Sequence, residues 1–371
     1  MKKNIYYDKN IINVTRTYLP SLSKYVKYVE RIFSSRWVTN NGPLVSELES
    51  RLKEFLGVKY IVLVSNGTLA LQIAYKILEL QRKVFTTPFS FVATTSSLVF
   101  NNHIPVFIDI ESDTFLMDLN ILENQIKKTK IRSVVAVHVF GNPLDVERVD
   151  HLTKTYNLKV IYDASHCFGV EYKGNSILNY GDISTLSFHA TKLFHTVEGG
   201  AIVTNGEELY NKAKLMTNFG IKGPDQIETL GINAKMNEFE AAMGLAVLDD
   251  INLILERREE IFYRYKKELS GYVEFQKLNP NITRYNYSYF PILLKSEDEV
   301  LRVMENLKAN NIIPRRYFYP SLDTLEYLQN KKICKVSRDI SSRILCLPIF
   351  PDLDKEMQIK TIEIIKKSVK R

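Results

Sequence analysis

The chain has 371 residues, 45% hydrophobic and 25% charged, an ordinary balance for a globular protein with room for one large domain and a smaller lobe. Its net charge of +8 is modest and scattered, and the densest basic run, Lys366-Lys367 to Lys370-Arg371, reads as the solvated face of a C-terminal helix rather than a nucleic-acid arm. Cys167, Cys334 and Cys346 form no CxxC pair and no zinc spacing, the start Met1-Lys2-Lys3-Asn4 lacks signal-peptide character, and no apolar run reaches membrane-span length. Buried reduced thiols, no metal, no membrane contact and a cytoplasmic location are therefore expected.

From Pro43 the chain alternates helix and strand signals. Pro43 suits a first helical turn, Leu44, Leu48, Leu52 and Phe55 follow at helical spacing, and Gly57 is placed to end that helix. An apolar run at 61–64 leads through Ser65-Asn66-Gly67-Thr68 into a helix over 69–78. Strands are expected at 83–87, 105–110, 133–140, 159–162, 185–188 and 201–204, with helices such as 146–156 between them. A helix from about Glu238 closes this part, and a charged helix over 256–269 follows. The rhythm then slows to strands at 289–294, 312–317 and 344–348, with a helix over 297–308. This predicts a large, mainly parallel α/β domain over residues 1–255, including an N-terminal segment, and a small α+β domain over 256–371.

Ligands of open α/β sheets bind beyond the carboxyl ends of the strands. Gly67-Thr68 opens a helix at such an end, where free N–H groups and the helix dipole favour a phosphate, although Asn-Gly-Thr is also an ordinary capping turn. Asp163 ends the strand Lys159-Val160-Ile161-Tyr162-Asp163. Lys192 follows the strand at 185–188 and precedes Glu198-Gly199-Gly200-Ala201. Alone, each reads as a surface or capping residue. Together they supply an amine able to form a Schiff base and a carboxylate able to hold a pyridinium proton, the two groups that pyridoxal phosphate (PLP) chemistry asks of a protein. No G-x-G-x-x-G follows any strand, which argues against a nicotinamide-dependent dehydrogenase.

Several further segments carry a resemblance. They are Trp37-Val38-Thr39-Asn40-Asn41-Gly42-Pro43, Ser65-Asn66-Gly67-Thr68-Leu69-Ala70-Leu71 and Thr87-Pro88-Phe89-Ser90-Phe91-Val92-Ala93-Thr94. Val137-His138-Val139-Phe140-Gly141-Asn142-Pro143, Asp163-Ala164-Ser165-His166 and Ser187-Phe188-His189-Ala190-Thr191-Lys192 follow. Gly231-Ile232-Asn233-Ala234-Lys235-Met236-Asn237-Glu238 and Leu345-Cys346-Leu347-Pro348 complete the series. In this order and spacing the chain resembles the DegT/DnrJ/EryC1/StrS sugar aminotransferases. That implies the aspartate-aminotransferase fold (fold type I of PLP-dependent transferases), with a large mixed-sheet domain and a smaller C-terminal α+β domain. Lys192 then resembles the Schiff-base lysine that also shuttles the substrate proton, and Asp163 the partner of the pyridinium nitrogen. His166 takes the place of the residue at the ring hydroxyl, and Gly67, Thr68 and Ser187 those at the phosphate. Phe91 would stack on the ring, its lesser alternative being a plain core aromatic, and a satisfied core histidine is the comparable lesser alternative for His166. Asn233 resembles a residue reaching the phosphate from a neighbouring subunit, which implies a homodimer with shared active sites. His189 and His195 read as supporting residues.

The implied reaction moves an amino group from an amino acid, glutamate, through pyridoxamine phosphate to a keto-sugar on a nucleotide diphosphate. Val14-Thr15-Arg16-Thr17-Tyr18-Leu19-Pro20 and the segment from Trp37 to Pro43 are most similar to members that aminate dTDP-4-keto-6-deoxy-D-glucose to dTDP-4-amino-4,6-dideoxy-D-glucose, releasing 2-oxoglutarate, for sugars of surface polysaccharides such as O-antigen lipopolysaccharide. Amination at C3 of a dTDP-3-keto-6-deoxyhexose stays open, because the sequence does not orient the sugar ring. A non-catalytic PLP- or nucleotide-sugar-binding regulator would be expected to lose Lys192 or Asp163, and the family's dehydratases carry histidine in place of the lysine. The chain departs from common family patterns at Asn218-Phe219-Gly220 and at Arg316-Tyr317-Phe318-Tyr319-Pro320. Lys235, Arg316 and Tyr317 are the candidate substrate contacts, with surface packing as the alternative.

Overall fold

The computed structural model describes residues 11–328 and 332–369, so the Met1–Asn4 start and the terminal pair Lys370-Arg371 lie outside the described residues. Strands β1 (Tyr60–Val64), β2 (Lys83–Thr86), β3 (Ile104–Phe107), β4 (Ser133–Val137), β5 (Lys159–Asp163), β6 (Ile183–Ser187) and β7 (Gly200–Thr204) form one seven-stranded sheet in the order β1-β7-β6-β5-β4-β2-β3. Pairings from β3 through β6 are parallel, while β7 runs antiparallel to both β6 and β1. The sheet is therefore mixed, with the expected parallel part running from β6 to the β3 edge.

The strands read as continuous apolar runs because both faces are covered. Ile61 and Leu63 of β1, Val134 and Ala136 of β4, and Val160 and Tyr162 of β5 face one core. Their neighbours Val62, Val64, Val135 and Ile161 face the other. Helices α1 (Leu22–Ser35), α2 (Pro43–Leu56), α3 (Gly67–Ile77), α4 (Val92–Phe100), α5 (Leu119–Lys128), α6 (Val146–Tyr156), α7 (Glu207–Met216) and α8 (Glu238–Leu248) surround the sheet. Through their buried side chains α2, α5, α6 and α8 join the first core, and α3, α4 and α7 the second.

Helix α9 (Ile251–Leu269) begins earlier than the charged segment expected at 256–269 and serves both lobes. Ile251 and Ile254 pack in the large core, whereas Ile261, Phe262, Tyr265 and Leu269 pack in the small one. The small lobe holds an antiparallel sheet of Glu274–Phe275, Phe290–Leu293 and Ile344–Leu347, with helices α10 (Glu297–Lys308), α11 (Lys335–Arg343) and α12 (Lys355–Ser368). Ile12–Asn13 pairs with Ile312–Ile313, so the described chain starts in the small lobe.

Two expected strands are shorter than their apolar runs. The run at 133–140 leaves the sheet after Val137, because Phe140 turns to φ +59° and donates its N–H to His166 Nδ1 at 3.1 Å. The run at 312–317 stops at Ile313, where Pro314 has no N–H for a ladder. Two helices had weak signals. Helix α1 exposes Leu22 and Phe33 and buries only Ile32, and α4 is built from Thr94, Thr95, Ser96 and Ser97, poor helix formers stabilised by burial.

The Asn-Asn-Gly-Pro turn before α2 is held by an acidic cap from elsewhere in the chain. Glu238, buried, accepts the Leu44 and Val45 N–H groups at 2.8 and 2.9 Å through its two oxygens, complementing the helix dipole. Its own N–H bonds the Val38 carbonyl, so α8 and the Trp37–Gly42 loop are tied at both ends. Removing this carboxylate leaves two buried N–H groups without an acceptor. Glu238→Ala is therefore expected to lower unfolding stability by about 2–4 kcal/mol, read from urea denaturation; a loss below the noise of that measurement would show that water replaces the cap.

Candidate active site

The carboxyl ends of β5 and β6 and the start of α3 converge on one corner. Asn66 caps α3, accepting the Leu69 N–H at 2.8 Å, which turns the first N–H groups of the helix outward. Among the described residues no group accepts from the Gly67 or Thr68 N–H. The corner is too tight for side chains. A Cβ on Gly67 would lie 2.8 Å from Ser187 Cβ, and one on Gly200 would lie 2.7 Å from the Gly67 nitrogen. The N-terminus of α3, the Thr68 hydroxyl and the Ser187 hydroxyl are thereby gathered at one place, with anion-binding donors facing out.

Asp163 lies one strand away. It pairs in register with Thr185, and Ser187 is two residues further along β6, about 6–7 Å. The carboxylate is buried, and its partners hold it in place. Thr94 donates its hydroxyl to Oδ2 at 2.7 Å, and Ser165 donates its hydroxyl to Oδ1 at 2.6 Å and its N–H at 3.2 Å. These donors are all uncharged, so no ion pair occupies the carboxylate among the described residues.

Lys192 is carried on a closed loop. Phe188 and Gly199 meet by an N–H to carbonyl bond at its base, Thr196 N–H returns to Phe188 O, and Lys192 N–H closes a turn onto His189 O. Phe188 and Phe194, both buried, pack edge to face at 4.9 Å and anchor the loop, with Phe168 stacked on Phe194. The partly buried amine donates to the Tyr289 hydroxyl at 3.2 Å. Burial lowers its pKa from an ordinary 10.5 to about 8, against the opposing pull of the Asp163 charge. A neutral, nucleophilic amine is thus accessible near neutral pH.

His166 is held neutral, its pKa pushed well below the ordinary value by burial and by Lys192. Its Nδ1 accepts from Phe140 N–H, which places the ring proton on Nε2 and makes that atom a donor. The ring is stacked 5.8 Å from Phe318 and lies 4.7 Å from Tyr289. His166, Ser165, Ser187, Lys192 and Tyr289 line one cleft. Larger clefts, such as the one between Tyr18, Arg257 and Asp352, lie away from these groups and hold no comparable constellation.

The remaining candidates are spread wider. Phe91 is 54% exposed at the start of α4, 6.5 Å from Phe318, so it is not a core aromatic. Tyr317 packs edge-on to Tyr289 at 5.8 Å and so belongs with the lysine. Asn233 is exposed on the chain's surface, and Lys235 donates to Asn233 and Asn218 side chains at 2.9 and 2.8 Å while covering the Phe219 ring. The divergent Asn218-Phe219 turn therefore surrounds Lys235. Arg316 is not gathered with the rest. Its guanidinium bonds Glu297 at 2.7 Å and the Ser342 carbonyl at 2.9 Å within the small lobe, which is the packing arrangement that the sequence left open beside a substrate contact.

Four residues of this site had no role in the sequence reading. Thr94 lay in a quoted motif, and Ser165 sat between two named residues, so adjacency could have found both. Tyr289 and Arg258 had no such signal. Arg258 is buried with no carboxylate partner among the described residues, donates to the Tyr287 and Ser288 carbonyls at 3.3 and 3.2 Å, and so holds the segment that presents Tyr289.

These residues fit pyridoxal phosphate. The glycine corner that no Cβ can enter suits close backbone approach by a phosphate, the buried Asp163 suits a ring N–H cation, and the Lys192 amine suits an aldehyde.

The profile of the DegT/DnrJ/EryC1/StrS aminotransferase family matches residues 22–366. A dTDP-4-amino-4,6-dideoxy-D-glucose transaminase of Shigella dysenteriae is 43% identical over 366 residues, covering 96% of this chain and 99% of its own. The Escherichia coli transaminase of the same name is 37% identical, covering 95% and 98%. The solved structure of DesI in the presence of its TDP-sugar product superposes with a TM-score of 0.89 at 28% identity, covering 97% of this chain and 93% of that one.

The Lys192 environment makes a signed prediction for PLP-free protein. Labelling of Lys192 by an amine-reactive reagent, followed by peptide mass spectrometry, is expected to rise with a midpoint near pH 8. Asp163→Asn removes the charge that favours the ammonium and moves the midpoint lower. A midpoint near that of free lysine, or an upward shift in the variant, would contradict this electrostatic account.

Proposed function

Because the chain belongs to the DegT/DnrJ/EryC1/StrS aminotransferase family, we propose that it transfers the amino group of L-glutamate to C4 of dTDP-4-keto-6-deoxy-D-glucose. The products are dTDP-4-amino-4,6-dideoxy-D-glucose and 2-oxoglutarate. The observation that carries the aminotransferase chemistry is the Lys192 amine, lowered to about 8 and held by Tyr289 within the electrostatic reach of Asp163. The choice of C4 and of a dTDP sugar is supported by the two transaminases that match 96% and 95% of the chain, and it is favoured over amination at C3 on that ground.

Pyridoxal phosphate, when bound, supplies the aldehyde that accepts the amino group and a ring that absorbs the electron pair left by a departing proton. The protein does the rest. Gly67 and Thr68 N–H groups with the Thr68 and Ser187 hydroxyls would bind the phosphate. Asp163 would keep the ring nitrogen protonated, and His166, with its proton on Nε2, would donate to the ring hydroxyl. Phe91, exposed at the head of α4, would cover the ring face. Lys192 Nζ would carry a proton from the donor's α-carbon to the cofactor in one half-reaction and from the cofactor to the acceptor carbon in the other, a role its lowered pKa permits near neutrality. Tyr289 would fix the amine's position between these transfers.

The proposal includes a homodimer with shared sites, supported by the exposed apolar Phe33, Trp37, Ile227 and Leu230 and by the exposed position of Asn233. A cytoplasmic location belongs to the same reading; no described helix is long and apolar enough to cross a membrane.

The test is spectroscopic. Protein with PLP is expected to show a yellow visible band that glutamate bleaches and the keto-sugar restores. Lys192→Ala should retain PLP and lose turnover entirely, and a variant that still transaminates would refute the assignment. Asp163→Asn is expected to slow turnover about 100-fold or more; near-normal rates would remove it as the ring-nitrogen partner.

A further inference from the structure

Adjacent arginines in the small lobe point opposite ways. Arg315 forms an antiparallel bridge with Cys346, donating its N–H at 3.3 Å and accepting at 2.8 Å. The chain turns immediately after this bridge, with Tyr319 N–H donating to the Arg316 carbonyl at 3.0 Å. Arg316 reaches Glu297 and the Ser342 carbonyl, while Arg315 lies over Tyr317. Arg315 is exposed, its guanidinium lies 5.2 Å over the Tyr317 ring, and no described carboxylate forms an ion pair with it. Tyr317 packs edge-on against Tyr289 at 5.8 Å, and Tyr289 receives the Lys192 amine. A free guanidinium thus stands about two aromatic rings from the reacting nitrogen.

We propose that Arg315 binds the diphosphate of the nucleotide-sugar substrate and so sets which substrates reach Lys192. The inference rests on the transaminase reading above. A planar fork of donors stacked on an aromatic face is pre-organised for phosphate oxygens. Its separation from the amine suits an anion lying beyond a sugar ring whose carbonyl carbon is at Lys192. A donor amino acid carries its α-carboxylate one bond from the reacting carbon, much nearer the lysine. Tyr317 holds the guanidinium in place and acts as a positioning residue.

The experiment is calorimetric binding of dTDP and of thymidine to PLP-loaded protein, comparing wild type with Arg315→Met and Arg315→Lys. Arg315→Met is expected to weaken dTDP about 10- to 100-fold while leaving thymidine affinity unchanged. Arg315→Lys, which keeps the charge but loses the fork, should fall between. The dependence of dTDP affinity on salt should also flatten in the methionine variant, which a merely structural effect on Tyr317 would not cause. Unchanged dTDP affinity in Arg315→Met overturns the inference, as does weakened binding of glutamate in place of dTDP, which would assign the arginine to a donor carboxylate. Failure of the underlying reading is a separate result: wild-type protein that does not aminate the keto-sugar.

Discussion

The active-site corner depends on one close approach, that of the α3 start to the ends of β6 and β7. A Cβ at Gly200 would sit 2.7 Å from the backbone of Asn66 and Gly67, and one at Gly67 would meet Ser187. Those neighbours are backbone or a short side chain, so no rotamer change relieves the overlap. The antiparallel insertion of β7 between β6 and β1 makes this contact necessary, because it brings the chain back to the sheet edge where α3 begins. The same return closes the loop carrying Lys192, through the bond between Phe188 and Gly199. The start of α3 and the loop carrying Lys192 are therefore set by a single piece of backbone geometry.

Around that corner burial and charge act against each other. Desolvation lowers Lys192 and His166, while Asp163 pulls the lysine back toward its charged form. The result differs for the two bases. His166 stays neutral throughout the working range, and its tautomer follows from the Phe140 N–H, whereas Lys192 titrates near pH 8. The Asp163 carboxylate is oriented by two hydroxyls and an N–H. Such separated protonation behaviour is what a proton-transfer site needs. Behind it, Arg258 is a buried cation whose pKa falls to about 10 through desolvation, and it is tolerated only because backbone carbonyls accept from it.

The small lobe contributes more to the site than its weak sequence signals implied. Tyr289, Tyr317 and Phe318 all come from it and close over His166 and Lys192. Buried Asn286 ties this lobe to the large one by donating to the His166 and Phe168 carbonyls at 2.8 and 3.0 Å. Helix α9, shared by both cores, makes the two lobes continuous in packing as well as in chain.

What the sequence determined by itself was local in character. The strands of the central sheet, the Asn66 cap, the Gly57 stop and the Glu297–Lys308 helix follow from apolar periodicity and capping chemistry, which act within a few residues. The Lys192, Asp163, His166, Ser187, Gly67 and Thr68 group was legible through their ordered motifs, and the structure brings these residues to one corner. Tertiary structure decided what depends on distant partners. It decided that Phe91 faces outward, that Thr94 and Tyr289 hold Asp163 and Lys192, and that Arg316 pairs with Glu297. Two adjacent arginines look alike in sequence, but one pairs with Glu297 and the other lies over the Tyr317 ring. Which face meets an acidic side chain and which meets the site is set by packing between elements far apart in the chain, and no local pattern encodes it.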